Sequence, residues 1–384
     1  MGRASVSDVF PGYHTGRRAR MPANIAHMVI AHKALERLQK KGFKELADFA
    51  TMLDDPAKGE FYQQYMNLGS VGPDLYSYAS MAQSGKEMLL EGYVDAAGVT
   101  PWSYHLHSQR PNEFPLRLIE ILFRDAVWED GRVLLDADDR RKLAYVAGHL
   151  SHIAADQIIH PLVNRIARPY YRSGANRKKH RQCEVFQDYF LYEEVYRNKR
   201  EEAKGRGKTR YDFFNQDFRK WVDCVPGVTT RNTEDWFRYF LQRGFAETYG
   251  PFPGENEIEN SVDNLLVILR VCKIYGPYKD ADKEYREHGT AGAMYQEYVA
   301  GPGYVTYYDE AVRLSAVYVA ALYEVYTTLA AGRDFDDSRK QRFRAIVNAA
   351  DLSCPLEQNI LQKAREELTN GPDGPRYEPL FEES

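Results

Sequence analysis

The stretch His149-Leu150-Ser151-His152-Ile153-Ala154-Ala155-Asp156-Gln157-Ile158-Ile159-His160-Pro161 decides the reading of this chain. In a helix, His152, Asp156 and His160 stand at i, i+4 and i+8, each about 400° round from the last and roughly 6 Å further along, so their side chains form one row. Imidazole, carboxylate and imidazole in a row are metal-ligand chemistry. His180 and Glu184 repeat the four-residue spacing, and nine of the ten histidines lie in the first 180 residues, leaving only His288 beyond. Histidine is concentrated where the motif is.

Around this centre the composition narrows the class. A length of 384 residues predicts two domains, or one large helical body with an extension. With 51 basic and 55 acidic residues the net charge is −4, which argues against a partner that is a bulk polyanion, so no stable nucleic-acid complex is expected. Cys183, Cys224, Cys272 and Cys354 form no CxxC pair, so neither a disulfide framework nor a thiolate zinc site is expected. No apolar run approaches the ~18 residues of a membrane span, and the first twenty residues carry Arg17, Arg18 and Arg20 but no run of signal-peptide length. The expectation is a soluble, cytoplasmic chain.

The periodicity is helical nearly throughout, and the fold class expected is all-α. Residues 1–20 read as a loose tail, and Ile25, Met28, Val29, Ala31, Leu35 and Leu38 mark an amphipathic helix that carries His27 and His32. Gly69 to Asp74 (Gly-Ser-Val-Gly-Pro-Asp) predicts a loop that delivers Asp74 at its end. A histidine-bearing loop with His105 and His107 leads into a helix over 116–123, and a long helix over about 138–160 should end at Pro161. Residues 172–210 hold twelve Lys/Arg against six Asp/Glu and read as a solvated linker from 197 on, which places a boundary between a domain at 21–200 and a C-terminal helical region at 201–384. Helical segments beyond it are expected at 214–223, 233–248, 257–274, 307–331 and 337–369. The Gly205-Arg-Gly-Lys-Thr209 run resembles the end of a P-loop, but Glu202 stands where GxxxxGK[ST] needs glycine.

In this order, helix histidine (His27), aspartate (Asp74), His105 or His107, His152-x3-Asp156, His160 and His180-x3-Glu184, the residues resemble the zinc-dependent phospholipase C family, whose helical fold and zinc centre are shared with certain single-strand nucleases. The resemblance covers roughly residues 21–200. It implies a multi-helix bundle with an additional C-terminal region, and one zinc held by Asp74, His107 or His105, His152 and Asp156. It implies a second zinc held by His160, His180 and Glu184. The family's third zinc uses an N-terminal tryptophan, the helix histidine and the shared aspartate; this chain has no tryptophan before Trp102, so a third site built on His27 and Asp156 is expected to be weak or empty. The run from Asp156 to His160 is also shorter than in the family's secreted members, though still one helical turn.

The activity implied is hydrolysis of a phosphodiester, either a small molecule or a phospholipid, with Asp74 as ligand and candidate general base. A nuclease on the same fold, and a non-catalytic protein in which metal only holds the helices, are the competing readings. His149 is expected in a supporting or core position, Cys183 in the core, and Tyr104 and Tyr170 near the ligands.

Overall fold

The computed structural model describes residues 24–55, 61–79, 101–168, 173–203, 211–223, 235–300, 304–349, 352, 359–371 and 374–382. The expected tail, Tyr170, the Gly205–Thr209 run, Cys224 and Cys354 lie outside them. In chain order come α1 (Asn24–Lys41), α2 (Lys44–Leu53), α3 (Tyr62–Leu75), α4 (Pro101–Ser108) and α5 (Glu113–Asp125), then a hairpin of β1 (Val127–Glu129) and β2 (Arg132–Leu134). There follow α6 (Ala137–Ala167), α7 (Gly174–Ala203), α8 (Asp235–Tyr249), α9 (Glu255–Val271), α10 (Gly276–His288), α11 (Tyr304–Ala330), α12 (Asp337–Ile346), α13 (Ile360–Thr369) and α14 (Gly374–Tyr377). The fold is all-α.

Helix α6 is the axle. Asp136 caps it by accepting from the Asp139 N–H at 2.9 Å, and Asp138 and Asp139 place negative charge on the positive end of the helix dipole. Its residues from Leu143 to His160 are buried all round, as a central helix requires. Helix α3 packs along one flank and α11 along another, with α1 and α7 closing the side that carries the histidine row.

The α3–α6 crossing is glycine to glycine. A Cβ on Gly69 would run into the Tyr145 carbonyl, and one on Gly148 into the Met66 carbonyl and, at 2.7 Å, the Ser70 amide. Only hydrogen at both positions lets the two backbones touch.

Four expectations change. Gly69 to Asp74 is not a loop but the last part of α3, kinked at Gly72, whose φ of 34° and ψ of −109° are conformations glycine allows and which the following Pro73 pushes out of the α region. Pro161 does not end α6, which continues to Ala167, because Leu162 and Val163 beyond the proline are buried and packing outweighs the local penalty. His105 and His107 stand on a short helix, α4, rather than in a loop. The basic run is helical from Gly174 to Ala203, so α7 passes through the expected boundary between 200 and 201, its stability coming from the buried face Cys183, Phe186, Tyr189 and Phe190.

Beyond that point 218–221 is a 3-10 turn rather than part of a longer helix, and 337–369 holds two helices, α12 and α13. The apolar core runs from Ile25 through Leu380, and C-terminal residues brace α6 directly. Tyr318 donates to Gln157 Oε1 at 2.7 Å, and Gln157 Nε2 donates to the Asn348 carbonyl at 2.6 Å.

Candidate metal centre

Four imidazoles converge on the carboxylate of Asp156, which is 2% exposed. Its Oδ1 lies 3.4 Å from His27 Nε2 and 3.5 Å from His160 Nε2; its Oδ2 lies 3.4 Å from His152 Nε2 and 3.7 Å from His107 Nε2. Asp74 completes the cluster, with Oδ1 3.1 Å from His107 Nε2 and Oδ2 3.7 Å from His152 Nε2. A little further along, His180 Nε2 lies 3.0 Å from Glu184 Oε1, and the His160 and His180 rings are 5.8 Å apart.

In each of three sets the donor atoms lie within 4.8 Å of one another and could hold an ion: Asp74, His107 and His152; His27, His152 and Asp156; and His160, His180 and Glu184. All eight residues are buried.

Each element contributes for a local reason. The α6 row delivers His152, Asp156 and His160 by helical spacing alone, and α7 does the same for His180 and Glu184. Asp74 reaches the row because the Gly72–Pro73 kink turns the end of α3; a Cβ at Gly72 would also press on His149 Nδ1 at 3.1 Å. The first turns of α1 bring His27 alongside, stacked on His152 with ring centroids 4.2 Å apart.

The imidazoles are held with their inner nitrogens facing the carboxylates. His152 Nδ1 donates to the Ser70 carbonyl at 2.9 Å, His107 Nδ1 to the Ser103 carbonyl at 2.7 Å, and His160 Nδ1 to the Leu352 carbonyl at 2.8 Å. A carbonyl oxygen only accepts, so Nδ1 carries the proton and Nε2 is left to offer its lone pair inward, the tautomer that metal-binding histidines adopt. His107 Nε2, His152 Nε2, Asp74 Oδ1 and Asp156 Oδ2 are buried without a hydrogen bond of acceptable geometry. Such a set of orphaned nitrogen and carboxylate donors fits zinc.

With no ion bound, a proton on Nε2 of His152 takes the ion's place between the carboxylates, and it must leave when an ion binds. Burial alone would lower His152, but Asp156 and Asp74 outweigh it and hold the imidazole up at about 9. Burial alone would raise Asp74 and Asp156, yet the surrounding histidines keep Asp74 below the usual carboxylate range and Asp156 well below it. Burial, seconded by His152, drives His27 down to about 3. Two buried carboxylates demand a cation at this point.

Between the clusters lies a cavity of about 20 Å³, lined by His27, Asp74, Asp156, His160 and Glu184 together with Ile30, Ile159 and Val163. That is room for an ion or a water among the donors.

His105 is the one candidate ligand the structure leaves outside. Its Nδ1 is 2.5 Å from Gln109 Oε1 and its ring stacks on Tyr249 at 5.0 Å. Two residues along a helix are about 200° round, so His105 and His107 cannot face the same side. His105→Ala is accordingly expected to leave the zinc content unchanged by elemental analysis, and His107→Ala to lower it; equal losses in both would show that α4 can present either face.

His149 is fully buried between Phe114 and Tyr145 and belongs to none of the donor sets. Cys183 is buried with its thiol pKa pushed up by burial, and Tyr104 stands beside His105 rather than the cavity. Sequence reasoning missed Gln187, which lines the cavity, and Asp188, one turn beyond Glu184. The four-residue recurrence His180, Glu184, Asp188 was the signal for the latter.

Fold and site together define an all-α protein built round a buried histidine and carboxylate cluster. The zinc dependent phospholipase C family matches residues 26–231, a little over half of the chain, and the protein belongs to that family. No curated protein and no solved structure matched. Among the described residues no helix is long and apolar enough to cross a membrane.

Proposed function

We propose that this protein is a zinc-dependent phosphodiesterase acting on phospholipids, with one ion held by Asp74, His107, His152 and Asp156 and a second by His160, His180 and Glu184. The observation that carries this reading is the pair of donor sets on either side of Asp156, with imidazoles oriented by the backbone carbonyls of Ser70, Ser103 and Leu352. His27 adds a donor at the Oδ1 side of Asp156 and makes a weaker third position.

Bound divalent ions supply Lewis acidity at the phosphoryl group and a nucleophile at neutral pH. The chain's own residues hold and insulate them. Ile30, Ile159 and Val163 put apolar wall beside the donors, and a low local dielectric strengthens charge interactions there. Asp74 is the candidate proton acceptor for the attacking water; its depressed pKa makes it a weak base, so ligation is its larger role. In the overall reaction water adds to phosphorus, one phosphorus–oxygen ester bond breaks, and the proton leaves with the alcohol.

The test is a panel of phospholipid vesicles, bis-nitrophenyl phosphate and single-stranded nucleic acid. Phospholipid hydrolysis that chelator abolishes and zinc restores is expected, with a loss of about 10³-fold or more in Asp74→Asn/His152→Ala. Activity that survives in the double variant would place the chemistry elsewhere. Hydrolysis confined to nucleic acid would favour the nuclease reading, and none at all with zinc fully bound would favour a structural role for the metal.

A further inference from the structure

The first turn of α1 is buried, from Asn24 at 4% exposure through Ile25, Ala26 and His27 at 7%, and it contains no acidic residue. The first N–H groups of any helix have no acceptor within it, and when buried they must find one elsewhere. Here the acceptor comes from another helix. Asp188 of α7, 1% exposed, takes the Ala26 N–H on Oδ1 at 2.7 Å and the Tyr278 hydroxyl of α10 on Oδ2 at 2.6 Å. Asn24 Nδ2 in turn donates to the Tyr78 hydroxyl at 2.7 Å, which ties the same turn to the 3-10 turn that follows α3.

The residue after Ala26 is His27, whose Nε2 meets Asp156 Oδ1 at 3.4 Å and whose ring stacks on His152. Asp188 continues the row of His180 and Glu184 by one more turn, so a single face of α7 presents two candidate ligands and the anchor of the helix opposite. Burial raises the Asp188 carboxyl to about 8, so this acceptor is kept at an electrostatic cost.

We propose that Asp188 is a positioning residue: by clamping the Ala26 amide and the Tyr278 hydroxyl it fixes the start of α1 and thereby sets where the His27 imidazole meets Asp156 and His152. This rests on the metal-centre reading above. Asp188 touches no ion; it acts through His27, and its loss should mimic the loss of His27 rather than the loss of the fold.

The test compares the wild-type full chain with Asp188→Asn, Asp188→Leu, His27→Ala and the double variant His27→Ala/Asp188→Leu. In the metal-free protein, amide exchange of the peptide covering residues 24–28 is expected to speed up about tenfold or more in Asp188→Leu and less than threefold in Asp188→Asn, while a peptide from α6 is unchanged. In cobalt-loaded protein, the visible absorption of Asp188→Leu should match that of His27→Ala, Asp188→Asn should restore the wild-type spectrum, and the double variant should show nothing beyond His27→Ala.

A wild-type spectrum in Asp188→Leu, or a further loss in the double variant, would overturn the proposal while leaving the metal centre intact. A wild-type chain that takes up no cobalt would overturn the metal-centre reading and this role with it. If Asp188→Leu does not fold, Tyr278→Phe decides on the same two readouts, with a rise in exchange of about threefold expected and no rise overturning the clamp.

Discussion

Asp156→Ala is expected to remove the ion assigned to Asp74, His107, His152 and Asp156 and to weaken the other, whereas His180→Ala should remove only the ion assigned to His160, His180 and Glu184. The difference follows from position. The two oxygens of Asp156 face four imbedded imidazoles, His27 and His160 across Oδ1 and His107 and His152 across Oδ2, so one carboxylate serves both sides of the centre. Its removal leaves histidines that repel one another as soon as a cation approaches, and takes away the negative charge that offsets the ions. His180 instead contacts Glu184 and reaches only the outer set. Phosphodiesterase activity should fall by about 10³-fold or more in Asp156→Ala. Elemental analysis of both variants checks the metal content; two ions retained in Asp156→Ala would overturn the assignment of Asp156 as a ligand.

The second large effect is on stability. Gly148→Ala adds a methyl group where α6 meets the α3 backbone at the Met66 carbonyl and the Ser70 amide, neither of which can swing aside as a side chain would. Overpacking of this kind costs about 3 kcal/mol or more, and in a chain of this size that lowers the melting temperature by roughly 4 °C or more. The damage should also reach the site, because α3 carries Asp74 and the Ser70 carbonyl that orients His152. Gly276→Ala is the control: a Cβ there meets nothing within 4 Å, and a change within about 0.5 kcal/mol is expected. Thermal unfolding of the two variants, with and without zinc, decides the matter; equal melting temperatures would mean that the crossing has slack.

What the sequence determined by itself is the part governed by local geometry. Residues four apart on a helix share a face whatever surrounds them, so the row His152, Asp156 and His160 and the pair His180 and Glu184 could be read directly, along with the helical class and the resemblance to the family that the chain proves to belong to. Tertiary structure decided the rest. Whether His105 or His107 turns inward depends on α4 laying His105 against Tyr249, a contact with a residue far along the chain. Pro161 and the start of the expected linker, 197–203, were misread for one reason: propensity and charge are small energies per residue, and a helix carried by the burial of Leu162 and Val163, or of Phe186 and Phe190, runs on past them. Asp74 arrives through a kink that needs both the glycine freedom of Gly72 and the pressure of Pro73, and Asp188 acquires its role only because α1 begins against it. Spacing along one helix is written in one segment, whereas the meeting of α1, α3, α4, α6 and α7 at Asp156 is a property of packing, which no segment contains alone.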